Sequence, residues 1–373
     1  MTPGGNNPQK PKLTNMRKHL FTLLVVLLAV APFRVDAQKN RSHVIGFYNL
    51  ENLFDTYHDD GKNDYEYLPD GANQWTQEKY AKKLRNMARV IQAMKKDNGV
   101  WHTVLGVSEI ENRHVLEDLV AEPAIADANY QIVHYDGPDR RGVDCALLYD
   151  PSKMTLVESE SIPFTFEGSS IKFDMTKEEM ANFRTRDILM VHGIIDGEHF
   201  AFYVCHLPSR LGGKGADNRA RGGEIVYNHA MKMMQKYPGI NCVIMGDMND
   251  NPFDPSMSKY MHGLKDIDKV TDKDFFAPFW SMLDAGFSSL YYRGEGNIYD
   301  CILVNNALAH AQKGTFQIQK ITKKKFYGRV FSKRFMTNQS GQYKGTPFRT
   351  FSNGAFVGGY SDHYPTYIII KKK

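Results

Sequence analysis

The sequence predicts an α/β protein of stacked, mostly antiparallel sheets flanked by helices. Nine short β-rich runs are spread along the chain, only two segments carry a helical pattern, and the two kinds never alternate as regular βαβ units do. The runs cover residues 44–48, 103–107, 130–134, 144–149, 187–195, 200–205, 241–245, 300–304 and 366–370. Several are apolar at almost every position, as strands covered on both faces are. In the first helical segment, 77–96, Thr76 can cap the start, and Tyr80, Leu84, Met87, Ile91 and Met94 fall on one stripe. The second, 220–237, is weaker because Gly222 and Gly223 sit near its start. Long polar stretches at 56–75, 207–222 and 309–358 read as loops, and loops of that length in a compact domain often carry function.

The chain divides into an N-terminal extension with a signal peptide, residues 1–37, and one large domain, 38–373. Met16-Arg17-Lys18 is a basic start, Leu20 to Val30 an apolar run, and Val35-Asp36-Ala37 supplies small residues for cleavage before Gln38. The apolar run is too short to favour a transmembrane span, so the mature chain is expected to have none and to be secreted or periplasmic. Residues 1–37 hold five Lys/Arg and one Asp, so removing them takes the formal charge from +5 to +1. Overall charge is then no argument for a nucleic-acid partner. Its distribution is: residues 301–361 contain ten Lys/Arg and no acid, densest at Lys323-Lys324-Lys325, Arg329, Lys333 and Arg334. Such a stretch suits a polyanion or is simply a solvated basic loop. Cys145, Cys205, Cys242 and Cys301 each lie in an apolar run with no CxxC spacing, so buried free thiols are expected and a cysteine zinc site is not.

Polar residues gather where apolar runs stop. Asn49 and Glu51 follow HVIGFY, Glu109 follows TVLGVS, His206 follows FAFYVC, and Asp247 and Asn249 follow NCVIMG. Asp300 precedes CILVN, and Asp362 and His363 precede PTYIIIK. Strand ends in a packed sheet converge on one rim, so these groups would share a cleft. The mix suits phosphoester hydrolysis: carboxylate and amide oxygens for a hard cation, an imidazole fixed by a carboxylate, and a neutral amide for a phosphate oxygen. Each piece alone is ordinary, since strand-end carboxylates usually serve turns. The ordered set is what carries weight.

FYNLENLFD, GVSEIEN, RGVDCALLYD, CHLPSR, GDMNDNP, YDCILV and SDHYP resemble, in order, the motifs of the endonuclease/exonuclease/phosphatase superfamily. That group includes pancreatic-type deoxyribonucleases, abasic-site endonucleases, sphingomyelinases and inositol polyphosphate 5-phosphatases. The resemblance implies a four-layer sandwich of two packed sheets between helices, and a Mg²⁺ ion, with Mn²⁺ or Ca²⁺ as alternatives. It implies Glu109 as principal metal ligand, with Asn49 and Glu51 beside it and Asp362 completing the shell. Asp247 would align the water, Asn249 would bind the phosphate, and His363, held by Asp300, would bond a phosphoryl oxygen. His206 would stand near the leaving group, and Arg141 and Arg210 would contact phosphate. In the 5-phosphatases an aromatic and a basic residue follow GDxN; here Asp250-Asn251-Pro252 follows, which argues against inositol phosphates. The stretch 309–358 is not a general family feature.

Three functions fit. The leading one, supported by the acid-free basic stretch and the His206 motif, is a secreted endonuclease acting on DNA or RNA, for which Phe316, Phe326, Tyr327, Phe331 and Phe335 would either stack on bases or pack their segment onto the domain. Another is a phosphodiesterase or phosphatase for small or lipid-linked esters. The last is a binding module on the same fold without catalysis. No stable protein partner is implied. A calcineurin-like metallophosphoesterase is excluded, because its D-x-H and G-N-H motifs are missing.

Overall fold

The apolar run at 44–48 lies in a longer strand whose two faces enter two different cores. In β1 (Ser42–Leu53), Ile45 and Phe47 point between two sheets, while Val44 and Tyr48 point to a helix layer outside. The computed structural model describes residues 41–210 and 215–373, with 1, 2, 4 and 5. The leader expected over 1–37 falls almost wholly outside these residues. No described helix is long and apolar enough to cross a membrane.

After β1 come α1 (Gln77–Asn98), β2 (Val104–Ile110), α2 (Arg113–Ala121), β3 (Gln131–His134), β4 (Asp144–Tyr149), β5 (Met154–Ile162) and α3 (Lys177–Asn182). Then follow β6 (Ile188–Ile195), β7 (Glu198–His206), α4 (Ala216–Lys236), β8 (Asn241–Asp247), β9 (Gly263–Leu264), β10 (Phe275–Phe276) and α5 (Pro278–Asp284). The hairpin β11 (Leu290–Tyr292) and β12 (Glu295–Asn297) leads to β13 (Asp300–Asn305) and α6 (Asn306–Ala309). The chain closes with β14 (Phe316–Ile318), β15 (Gly328–Val330), the hairpin β16 (Phe351–Ser352) and β17 (Ala355–Phe356), and β18 (Thr366–Lys372).

One seven-stranded sheet runs β14-β18-β1-β2-β4-β3, with β15 also on β18; the other runs β5-β6-β7-β8-β13-β10-β9. Most pairs are antiparallel, the parallel ones being β1–β2, β7–β8 and β9–β10. The sheets stack through Phe47, Val104, Leu147, Val191, Phe202, Val204, Met245 and Ile302, all buried. Each such side chain contributes about 1.5–3 kcal/mol of transfer free energy. α1 and α2 cover the outer face of the first sheet through Leu84, Met87, Ile91, Leu116 and Leu119. α4 covers the second through Val226, Ala230 and Met233. The layers are therefore helix, sheet, sheet, helix, as the family resemblance implies.

All nine expected runs form strands, and Thr76 caps α1 by accepting from the Lys79 N–H. The four cysteines are buried and free. β5 went unpredicted because it is a sheet edge, mostly exposed and polar. The stretch 309–358 is not simply a loop: β14 and β15 pair with β18, and Phe316, Phe326 and Phe331 are buried in the cores. These three rings pack the segment onto the domain and are not open to bases. Two of the dense basic residues, Arg329 and Lys333, pair with Asp97, fourteen residues beyond Lys83 along α1, or about 21 Å.

Register delivers the rim. Asp247 pairs with Asp300 across β8–β13 and with His206 across β7–β8. Gly246 sits beside Cys205, and a Cβ there would lie 2.1 Å from the Cys205 carbonyl oxygen. Because the obstacle is backbone, Gly246→Ala is expected to cost about 2–3 kcal/mol, read as a lower urea midpoint; an unchanged midpoint would show that β7 and β8 can part locally.

Candidate active site

Two β-bulges shape the floor. The β1–β2 ladder shifts register between Asn49 and Leu53, and the β2–β4 ladder between Ser108 and Ile110. Within them Glu51, Asn52 and Glu109 take positive φ angles of 49°, 50° and 57°. Left-handed backbone at a non-glycine residue costs roughly 1–2 kcal/mol, and bulges re-aim side chains at strand rims. The result is that Glu109 turns toward β1. Its Oε1 accepts from the Asn49 side-chain amide at 3.2 Å and its Oε2 from the Asn52 backbone N–H at 3.0 Å.

The Asn49 amide nitrogen also donates to Asp247 Oδ2 at 3.0 Å, so one NH₂ group lies between two carboxylates from opposite sheets. Burial pushes Asp247 up to about 6, against the opposing pull of His363. His206 Nε2 stands 3.7 Å from both Glu109 Oε1 and Asp247 Oδ2. Burial, followed by Arg186, Arg141 and His363, holds His206 well below the usual imidazole range, so it is neutral and able to ligate. Glu109, His206 and Asp247 form a set whose ligand atoms lie within 4.8 Å of one another. The fit to a divalent cation is good: two carboxylate oxygens and a neutral nitrogen converge on one point.

His363 completes the cluster. Its Nδ1 lies 2.8 Å from Asp300 Oδ2, and its Nε2 lies 3.8 Å from Asp247 Oδ2 and from Asp362 Oδ1. Burial opposes its charge, but Asp300, Asp247 and Asp362 prevail and raise it well above the usual range. Asp300 is held by the Ser289 hydroxyl at 2.5 Å. Ser361 donates to the Asn49 carbonyl and accepts from the His363 N–H, tying the SDH turn to β1. Asn249, with φ 48°, donates its backbone N–H to Asp247 Oδ1 at 2.9 Å and its side-chain amide to the Leu207 carbonyl.

Four other expected residues have partners of their own within the protein. Glu51 is buried and fully engaged: Oε1 accepts from Arg349 Nε at 3.0 Å and Oε2 from the Thr350 N–H at 2.7 Å, with Lys83 Nζ at 3.5 Å. Burial raises Glu51 and lowers Lys83, while their attraction opposes both shifts. Asp362 pairs with the other arm of Arg349 at 3.0 Å. Arg210 is spent on the Asn249 carbonyl, Asp250 and Asp254, so it braces the loop that carries Asn249. Arg141 stands half-exposed at the rim with NH1 3.5 Å from Asn52 Oδ1.

Arg349, Lys83, Arg186 and Ser289 were not foreseen. Lys83 had a signal, since it falls on the apolar stripe of α1 between Tyr80 and Leu84. Arg186, which donates to the His206 and Leu207 carbonyls, and Arg349 had none, because only the fold brings them to the rim. Arg349 and Asp362 also border a cleft of about 890 Å³.

A sequence profile described as the Endonuclease/Exonuclease/phosphatase family matches residues 44–372. No curated protein sequence matches significantly. Among solved structures, an endonuclease/exonuclease/phosphatase family protein from Bacteroides thetaiotaomicron superposes with TM-score 0.53 and 15% identity, over 89% of this chain and 98% of that one. A mannosyl-6-phosphatase of the same organism gives 0.52 and 15%, over 88% and 98%. D. rerio TDP2 with a single-strand DNA product gives 0.51 and 12%, over 89% and 100%. At such identities the likeness is one of fold.

Because Asp300 favours charged His363, the pair's stabilisation is complete below the unfolded imidazole value of about 6.5 and is lost as pH rises through the higher folded value. In metal-free protein, Asp300→Asn is expected to move the His363 titration to lower pH by ring-proton NMR, and to cost more stability at pH 6 than in alkaline solution. An unmoved titration would remove Asp300 from this role.

Proposed function

The chain belongs to the endonuclease/exonuclease/phosphatase family of metal-dependent phosphoesterases, and on that premise we propose that it hydrolyses small phosphoesters with a divalent cation, Mg²⁺ first. The observation that carries the proposal is the convergence of Asn49, Glu109, His206, Asp247 and the His363–Asp300 pair at one rim. Glu109 would hold the ion, with His206 and Asp247 within reach. When bound, the ion neutralises the phosphate and stabilises charge in the transition state.

The chain's own groups supply the rest. Asp247, near 6, is a better base toward water than an ordinary carboxylate. His363, kept cationic by Asp300, offers Nε2–H to a phosphoryl oxygen. Asn249, fixed by Asp247, Leu207 and Arg210, presents a neutral side chain to the phosphate. Asp362 and Glu51, both bound to Arg349, hold the wall of the site.

Small esters are favoured over a polymer because the densest part of the basic stretch does not line the cleft beside the site. Arg329 and Lys333 are anchored on Asp97, and Lys323 and Lys324 form a tight turn closed by a Thr322–Phe326 bridge. What adjoins the catalytic cluster is a bounded cleft. A polynucleotide is the second reading, favoured by the half-exposed Tyr291 and Tyr343 rings on that cleft, which could stack on bases. The fold is shared by a mannosyl-6-phosphatase and by a protein seen with a single-strand DNA product, so fold alone does not choose.

With Mg²⁺ or Mn²⁺, the protein is expected to hydrolyse p-nitrophenyl phosphate or its bis ester, EDTA to stop it, and His363→Ala to lose about 10²–10⁴-fold. Cleavage of plasmid DNA or RNA with no turnover of either small ester would reverse the preference. The leader reading adds export and a mature chain starting at Gln38; N-terminal sequencing of exported protein that found residues before Gln38 would refute that site.

A further inference from the structure

The cleft beside the catalytic cluster is lined by cations and aromatic rings. Its cationic lining residues are Arg293, Lys344 and Arg349, and its sole carboxylate among the described residues is Asp362, a formal balance of +2 (three cations less one anion). Asp362 is already paired with Arg349, so Arg293 and Lys344 set the field that a ligand meets. Two of the chain's exposed large side chains with apolar surface, Tyr291 and Tyr343, stand in the same walls, 42% and 45% exposed. Arg293 and Tyr291 come from the β11–β12 hairpin, and Lys344 and Tyr343 from the stretch that precedes the SDH turn.

These walls are joined to the chemistry. Arg349 reaches from the cleft to Glu51, and its other arm holds Asp362, whose Oδ1 lies 3.8 Å from His363 Nε2. A phosphate seated against His363 would therefore have the rest of its molecule in the cleft. That remainder would meet flat aromatic faces and two cations without bound counter-carboxylates in the lining. Guanidinium and ammonium groups there select a phosphate over a neutral alcohol.

Resting on the small-phosphoester reading, we propose that this cleft is a specificity subsite for the leaving alcohol, and that the alcohol carries a ring and a second phosphate. Arg293 and Lys344 bind the second phosphate, Tyr291 and Tyr343 flank the ring, and Arg349 aligns the two halves of the site. The chemistry is ordinary hydrolysis: water's oxygen bonds to phosphorus, the phosphorus–alkoxide bond breaks, and the alcohol leaves protonated, with its second phosphate intact.

The test compares kcat/KM for fructose 1,6-bisphosphate and adenosine 3′,5′-bisphosphate with that for p-nitrophenyl phosphate, in the wild type, Arg293→Gln, Lys344→Gln, and Lys323→Gln as a control on the distant turn. At least one bisphosphate should be preferred, and its ratio to p-nitrophenyl phosphate should fall about tenfold or more in each cleft variant, through KM, and not in the control. Turnover with neither bisphosphate preferred, or with ratios unchanged in the cleft variants, overturns the subsite alone. No turnover of any small ester overturns the underlying reading, and the subsite with it.

Discussion

Glu109 and Asp247 lie on facing sheets with one amide group between them, and most of the rim is built to keep them there. Two carboxylates this close repel in a region poor in water; Asn49 bonds both, and the His363 ring stands 3.8 Å from Asp247. The restraint comes from outside. The β7–β8–β13 registers fix Asp247, and two bulges with left-handed backbone fix Glu109. Held this way, the two carboxylates and His206 present the mixed oxygen and nitrogen donors that suit a divalent cation.

The opposite wall solves a different problem. Glu51 is buried next to Asp362, and two cations from distant parts of the chain converge on it: Lys83 from α1 and Arg349 from the last long connection. Buried ion pairs give little net stability, but removing one partner leaves a costly orphan. The network therefore acts as a register device, locking the connection to α1 in a single arrangement. Arg89 reinforces the seam, bonding the Tyr360 hydroxyl at 2.7 Å and lying over the Phe335 ring.

Much of this was legible in the sequence, for reasons that particular residues make plain. The strands could be read because both faces of β1, β2 and β8 are buried, so their apolar runs stand out. Their polar ends could be read because the chemistry needs those residue types there. β5 was hidden by its mostly exposed edge position, which leaves no regular apolar pattern, and α2 by its brevity, although Asn112 caps it. The stretch before the SDH turn misled most. Its lysines suggested a track for polyanions, whereas Phe316, Phe326 and Phe331 are what fix its course. Charge along a sequence says little about where side chains end up when buried rings decide the path.

The way that stretch attaches to β18 has a consequence for how molecules behave together. β14 meets the far half of the strand and β15 its near half, each only three residues long. A terminal strand carrying His363 at its mouth is thus covered along its open side by two short, separate pieces. A neighbouring copy finds no long continuous row of amide and carbonyl groups there on which to add a strand. Strand addition between chains is thereby disfavoured along this margin of the sheet.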